Sequence, residues 1–337
     1  MTPMRLRLGL AGLGIHGIRY AEHLLRGDVP RAVLTVVSRQ KAAAGRAFAA
    51  DSGLSFVENP LDLAAHPDVD AVLAVLPPDL HPALARACLA RGRPVLVEKP
   101  LAADAASAAE VADLAARTGV PLMVAHTLRF DPLVLQLRER AAELGPLRVL
   151  ALNQRFEPTA RTWIDRPGPG GALLNTAVHG FDLMRFLTGA EAVSLDAQIE
   201  AAVTRHTEDE VVALVRLGPG PILATLDNAR TTAGRSGRIE LVGEHGQLWG
   251  DHVHRGLFRV RGREQESLGP VPAVPTVALA LAAFVDAVLD GTPMPCTAED
   301  GLQAVRMVEA ARLSAEDGRR VLLAEVRDGE RRSGARR

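Results

Sequence analysis

The chain has 337 residues, 47% of them hydrophobic, which is enough to bury the cores of two domains. Lys and Arg number 39 against 40 Asp and Glu, and this near-neutral balance points to neither nucleic acid nor a membrane as partner. Two cysteines, Cys88 and Cys296, exclude a disulfide framework and a cysteine-rich metal site, so no metal is expected.

Basic residues precede an apolar run at the N-terminus and superficially resemble a signal peptide. The run is better read as a first strand and its glycine loop, so a cytoplasmic, reducing location is expected. Strands are predicted over residues 6–10, 33–37, 71–76, 95–97 and 121–125, with a weaker one near Phe56. Helices fall between them, one running from an Asp104 N-cap to Gly119. This α/β alternation predicts a right-handed, doubly wound parallel sheet over residues 1–126.

The loop Gly12-Leu13-Gly14-Ile15-His16-Gly17 sits between the first strand and the first helix. In that setting Gly12 permits a tight turn, Gly14 lets backbone approach a pyrophosphate, and Gly17 allows close helix–strand packing. The helix N-terminus then offers N–H groups to the phosphates. The second strand ends in Val37-Ser38-Arg39-Gln40, without the acid that would accept hydrogen bonds from the adenosine ribose. Ser38 and Arg39 suit a 2′-phosphate, so NADP(H) is favoured and NAD(H) stays open. A solvated arginine at a helix start is the plainer reading of Arg39.

The stretch Val95-Leu96-Val97-Glu98-Lys99-Pro100 is a short buried strand that ends in a charged pair. Ligands of open parallel sheets sit beyond the carboxyl ends of the strands, which is where Lys99 falls. Tyr20 is the sole tyrosine and Leu24 stands four residues on, which excludes a Tyr-x-x-x-Lys reductase. The proton carrier is therefore Lys, His or a carboxylate.

After Phe130 the strands lengthen and follow one another, over residues 147–156, 193–201, 211–217, 222–228, 238–242 and 247–250. Gly-rich connections such as Gly218-Pro219-Gly220 predict antiparallel hairpins. Helices are predicted over 173–187, 277–289 and 298–316, the last with Thr297 and Asp300 as a weak capping box. Residues 127–326 are expected to form a substrate and oligomerisation domain, and 327–337 a disordered tail.

Within the helix over 173–187, Asn175, His179 and Asp182 share one stripe, and Leu174, Val178 and Phe181 form the apolar stripe beside it. A polar stripe on a helix otherwise fit for burial needs partners or a ligand. A hydrogen-bonded core histidine is the bland alternative, and Lys99 weighs against it.

Taken together, these pieces resemble the Gfo/Idh/MocA oxidoreductase family. The matching segments are the Gly12–Gly17 loop, Leu76-Pro77-Pro78-Asp79-Leu80-His81, Glu98-Lys99-Pro100, Arg129-Phe130-Asp131-Pro132, Gly170-Gly171 through His179 and Asp182, and Thr297-Ala298-Glu299-Asp300-Gly301. They occur in family order and span nearly the whole chain. The resemblance implies an N-terminal Rossmann domain and a C-terminal α/β domain with an open, mainly antiparallel sheet, often an oligomer interface. It implies a homo-oligomer acting on a sugar, polyol or related carbonyl compound in the cleft between the domains. Lys99 would lie beside the nicotinamide and the substrate oxygen, and His179 would be the acid/base. Asn175, Arg129 and Trp163 would bind substrate, and Leu76, Pro77, His81 and Glu98 would approach the cofactor. A cis proline peptide is expected at Pro100. Many members carry aspartate where this chain has Asn175, so orientation or substrate binding is all that transfers to that position.

Other readings remain at several residues. His81 either caps the helix that follows it or approaches the cofactor. Trp163 either covers the substrate or packs on the neighbouring domain. His245, between Gly243 and Gly246, imitates a dehydrogenase histidine but falls in a predicted turn. His252 and His254 read as a solvated strand face. The leading function is NAD(P)-dependent hydride transfer to or from a sugar or polyol. A glycoside-cleaving relative using transient oxidation and a nucleotide-sensing binding protein are the rivals.

Overall fold

A computed structural model describes residues 5–158 and 164–326. Six strands, β1 (Leu6–Ala11), β2 (Ala32–Ser38), β3 (Ser55–Val57), β4 (Ala71–Ala74), β5 (Val95–Glu98) and β6 (Leu122–Ala125), form an all-parallel sheet. The order β3-β2-β1-β4-β5-β6 puts the switch point between β1 and β4, where the carboxyl ends open a ligand crevice. Every residue of β4, β5 and β6 is buried. That is why these strands read as continuous apolar runs rather than alternations.

Helices α1 (Ile15–Leu25), α2 (Ala42–Ser52), α3 (His81–Leu89) and α4 (Ala105–Thr118) connect these strands. The Asp104 carboxylate accepts the Ser107 N–H at 2.8 Å, and Gly119 closes α4 at φ +65°. β4 ends at Ala74, two residues before the predicted end, because Val75 turns over the glycine loop. The Val75 N–H donates to the Ala11 carbonyl at 2.9 Å.

Beyond β6, α5 (Pro132–Arg140) starts from an Asp131 cap, whose carboxylate accepts the Leu133 N–H at 2.8 Å. A second sheet follows, made of β7 (Leu147–Arg155), β8 (Glu191–Glu200), β9 (Glu210–Gly218), β10 (Ile222–Ala229), β11 (Ser236–Gly243), β12 (Gly246–Asp251), β13 (Gly256–Arg261), β14 (Glu264–Pro270) and β15 (Val321–Leu322). Its order is β14-β13-β12-β11-β7-β10-β9-β8-β15, and only the β7–β10 pair is parallel. The hairpins expected at Gly218–Gly220 and at Gly243–Gly246 join β9 to β10 and β11 to β12. On β9, Val211, Ala213, Val215 and Leu217 are buried while Val212 and Leu214 face outward. The sheet thus has one face in the core and one open face.

The inner face carries the helices. The predicted helix over 173–187 is a π-helical turn, Leu173–Ala177, leading into α6 (Val178–Thr188). α8 (Ala298–Asp317) joins it on that face and opens with the Thr297–Asp300 capping box, while α7 (Thr276–Asp290) packs on α1. These last helices reach back to the parallel sheet. α8 packs on α4, α6 and β8, and Arg31 pairs with Asp286 at 2.7 Å and Asp290 at 2.6 Å on α7. No helix among the described residues is long and apolar enough to cross a membrane.

Phe284 on α7 is fully buried. Phe284→Ala should destabilise the protein by about 3–5 kcal/mol, measured by urea denaturation. A loss below about 1 kcal/mol would show that this contact is not core packing.

Candidate active site

The glycine loop has the shape of a phosphate cradle. Gly12 lies at φ +97°, and a Cβ there would meet the Val75 carbonyl oxygen at 2.1 Å. A Cβ on Gly17 would meet the Gly12 carbonyl oxygen at 1.8 Å, whereas none of the chain comes within 4 Å of one on Gly14. Two glycines are therefore required by packing, and the third keeps an open approach to the start of α1. Gly14 is the N-cap of α1 and no side chain caps the helix, so its first N–H groups face that approach. The donors and the clearance fit a dinucleotide pyrophosphate. Leu13 is buried, Ile15 is exposed, and His16 is half-buried. Leu76 and Pro77 are half-buried in the loop after β4.

At the end of β2, Ser38 is buried and its hydroxyl donates to the Glu58 carbonyl at 3.4 Å. That contact turns Ser38 into the sheet. Arg39 is half-buried and Lys41 exposed, so the cationic groups at this corner are theirs.

Lys99 leaves the carboxyl end of β5 through a cis Lys99–Pro100 peptide. The Glu98 carboxylate behind it accepts the Tyr20 hydroxyl at 2.8 Å and the Lys99 backbone N–H at 3.0 Å. Burial raises the Glu98 pKa, opposed by the Lys99 charge and these two donors. Glu98 therefore supports the turn from within the core. His81 supports it from the other side, with Nδ1 2.8 Å from the Pro100 carbonyl oxygen. A carbonyl only accepts, so His81 Nδ1 carries the proton. The ring is fully buried, no side chain caps α3, and the ring braces the Lys99 turn.

Lys99 Nζ donates to the Asn175 backbone carbonyl at 2.7 Å, across to the π turn that precedes α6. His179 stands one turn further along, half-buried, with Nδ1 enclosed and unpartnered among the described residues. Burial holds its pKa well below the ordinary value, and Lys99, His126, His252 and His16 push the same way. The ring is neutral at physiological pH and its Nε2 is the nitrogen left to handle a proton.

Arg129 is engaged within the protein. It is buried, donating to Asp182 from Nη2 at 2.6 Å and from Nε at 2.9 Å. Nη2 also lies 3.1 Å from Asp300, and the guanidinium sits 5.1 Å from the Phe186 ring centre. Arg129 thus anchors α6 through Asp182, and Asp182 belongs to that anchor. His126, at the carboxyl end of β6, lies between this pair and His179. Its Nδ1 is 3.7 Å from Asp182, and its ring meets His179 edge-on with centroids 6.1 Å apart. Burial holds its pKa at about 4. Sequence reasoning passed over His126, although it follows β6 just as Lys99 follows β5. Trp163 lies outside the described residues.

His245 is exposed in the β11–β12 turn, and His254 pairs with Asp251 at 3.0 Å. His252 is half-buried and near enough to His179 to affect it, so it is not the solvated strand residue expected. Among the described residues no group of three or more His, Cys, Asp or Glu is placed to hold a metal ion.

Residues 6–126 match an oxidoreductase family with an NAD-binding Rossmann fold, and residues 140–323 match its C-terminal α/β domain. The chain belongs to the Gfo/Idh/MocA family. Within that family it is 31% identical to inositol 2-dehydrogenase 1 of Saccharopolyspora erythraea, over 94% of this chain and 95% of that protein. It is equally, 31%, identical to the rhizopine catabolism protein MocA of Rhizobium meliloti, over 91% of this chain and 94% of MocA. The fold matches the crystal structure of GenD2 from gentamicin A biosynthesis in complex with NAD, with TM-score 0.84, 25% identity, and coverage of 96% and 97% of the two chains. This Gfo/Idh/MocA protein is an NAD(P)-dependent oxidoreductase with the fold anticipated from its sequence.

Two histidines buried as neutral rings make its stability depend on pH. Burial holds His81 and His126 at about 4, so the unfolded chain takes up their protons first. Their contribution is complete above about pH 6.5 and declines toward about pH 4, by up to about 1.4 kcal/mol per pH unit for each ring. His81→Asn should remove one ring's share of that slope in urea denaturation across this window. An unchanged slope would contradict a buried, neutral His81.

Proposed function

We propose that this protein transfers a hydride between a nicotinamide and a sugar or polyol, with Lys99 and His179 managing the oxygen and its proton. The observation that carries the reading is the approach of Lys99 Nζ to the π turn that leads into the His179 helix, at the carboxyl ends of β5 and β6. The Gly12–Gly17 loop and the start of α1 would hold the pyrophosphate, with Leu76, Pro77 and Lys99 nearer the nicotinamide. When bound, the nicotinamide supplies or takes up the hydride. On the protein side, His179 Nε2 accepts the hydroxyl proton as a carbinol is oxidised and returns it in the reverse direction. The Lys99 ammonium donates to the same oxygen and stabilises its developing negative charge. The inositol dehydrogenase named among its relatives supports a polyol or sugar as the substrate class.

The reading extends to NADP(H) as the preferred cofactor. Residues 37–41 include no acid to repel a 2′-phosphate, and Arg39 and Lys41 stand there instead. It extends also to a cytoplasmic homo-oligomer. Cys88 and Cys296 are both buried free thiols, and the open face of the second sheet exposes Val149, Val212, Leu214 and Leu223.

Lys99→Met should lower kcat about a hundredfold or more, and His179→Ala about 10²- to 10⁴-fold, in nicotinamide absorbance assays with myo-inositol. Dinucleotide affinity should change only a few-fold in both. A normal rate in either folded variant would remove that residue from the chemistry. Arg39→Ala should lower the preference for NADP over NAD by about tenfold, the scale of one charge-assisted hydrogen bond. A wild-type preference for NAD, or a ratio unmoved by the substitution, would defeat the cofactor assignment.

A further inference from the structure

Asn175 lies between Lys99 and the second sheet, and both of its oxygens are engaged. The backbone carbonyl accepts from Lys99 Nζ at 2.7 Å, and Oδ1 accepts from Arg230 Nη1 at 2.8 Å. A guanidinium has donors and no acceptor, so only one orientation of the amide makes this bond. Oδ1 faces Arg230, and Nδ2 is turned away from it. Arg230 is itself held in place, following β10 half-buried with its guanidinium 5.6 Å from the Phe156 ring centre. Its backbone N–H donates to the Asp209 carbonyl at 2.9 Å. Asn175 is half-buried one turn before His179, and its Nδ2 has no hydrogen-bond partner among the described residues. The nearby Glu208 carboxylate is engaged by the Leu173 N–H at 3.0 Å.

A carboxylate at position 175 would offer a substrate only an acceptor. It would suit a hydroxyl and repel an anion. The amide pinned by Arg230 offers a donor, on the residue whose backbone carbonyl takes the ammonium of Lys99. We infer that Arg230 is a specificity-determining residue, which by fixing the Asn175 amide selects a sugar acid with a carboxylate next to the reacting carbinol. A hydroxyl at that place could also accept from Nδ2, but it carries no charge to pair with the ammonium of Lys99. The inference rests on the hydride-transfer reading and narrows its substrate.

D-gluconate and D-sorbitol differ at one terminal carbon, a carboxylate in the first and a hydroxymethyl in the second. Neither can be reduced by a reduced nicotinamide, so both can be titrated into the enzyme saturated with NADPH, following nicotinamide fluorescence. The wild type should bind gluconate about tenfold or more tightly than sorbitol, as expected for a charge-assisted bond gained. Asn175→Asp should abolish or reverse that ratio, and Arg230→Met, which frees the amide to turn over, should lower it several-fold. Thermal melts would establish that each variant is folded, and either one alone suffices for the test. Equal affinities in the wild type, no binding of either compound, or a ratio unmoved in the folded variants would overturn the inference. Nicotinamide reduction by any member of a panel of polyols and sugar acids, abolished in Lys99→Met, tests the underlying reading separately.

Discussion

The buried pairing of Arg129 with Asp182 fixes where the His179 helix meets the parallel sheet. Arg129 follows β6 and Asp182 lies on α6, so two charge-assisted bonds at 2.6 and 2.9 Å hold the His179 helix against the end of the parallel sheet. Asp300 in the first turn of α8 joins the same guanidinium and also takes Arg185 at 3.0 Å. Two charges removed from water are tolerable only with geometry this good, and losing one partner typically costs about 3–5 kcal/mol. The arrangement contributes position more than net stability. Lys99 comes from one sheet and His179 from a helix of the other, and this junction sets them one π turn apart.

The electrostatics at that junction favour a neutral base beside a cation. His126 and His179 are held below their ordinary pKa by burial, and Lys99 opposes protonation of both. Removing a proton from a substrate hydroxyl requires an unprotonated imidazole, and the neighbouring ammonium stabilises the oxygen that results. The Lys99 turn is braced by Glu98 and Tyr20 on one side and His81 on the other. Such support holds the ammonium in place, as the role proposed for Lys99 requires, since small displacements of a reacting group are costly.

Much of this was legible in the sequence wherever a local rule applied. Strands β4, β5 and β6 announce themselves because burial on both faces makes them near-continuous apolar runs. The glycine loop does so because Gly12 and Gly17 tolerate no Cβ. Lys99 stands out as a charge at the end of a buried strand. Less legible were elements without a clear pattern. β14 is largely exposed and shows no alternation, while α5 has a short run of mixed residues. The π turn leaves no signature in residue type. Long-range pairings were the hardest to read: Arg129 finds Asp182 53 residues away and Arg230 finds Asn175 55 away. The Arg129–Asp182 anchor was therefore not foreseen, and Arg230 and His126 drew no attention.

In the proposed reaction a carbinol hydrogen passes directly to a nicotinamide at this junction. The most direct measurement uses myo-inositol deuterated at its carbinol carbons, incubated with enzyme and oxidised cofactor, with the reduced nicotinamide examined by NMR. Direct transfer predicts deuterium at nicotinamide C4, on one face of the ring only. Deuterium released to water, or a nicotinamide reduced without label, would contradict it.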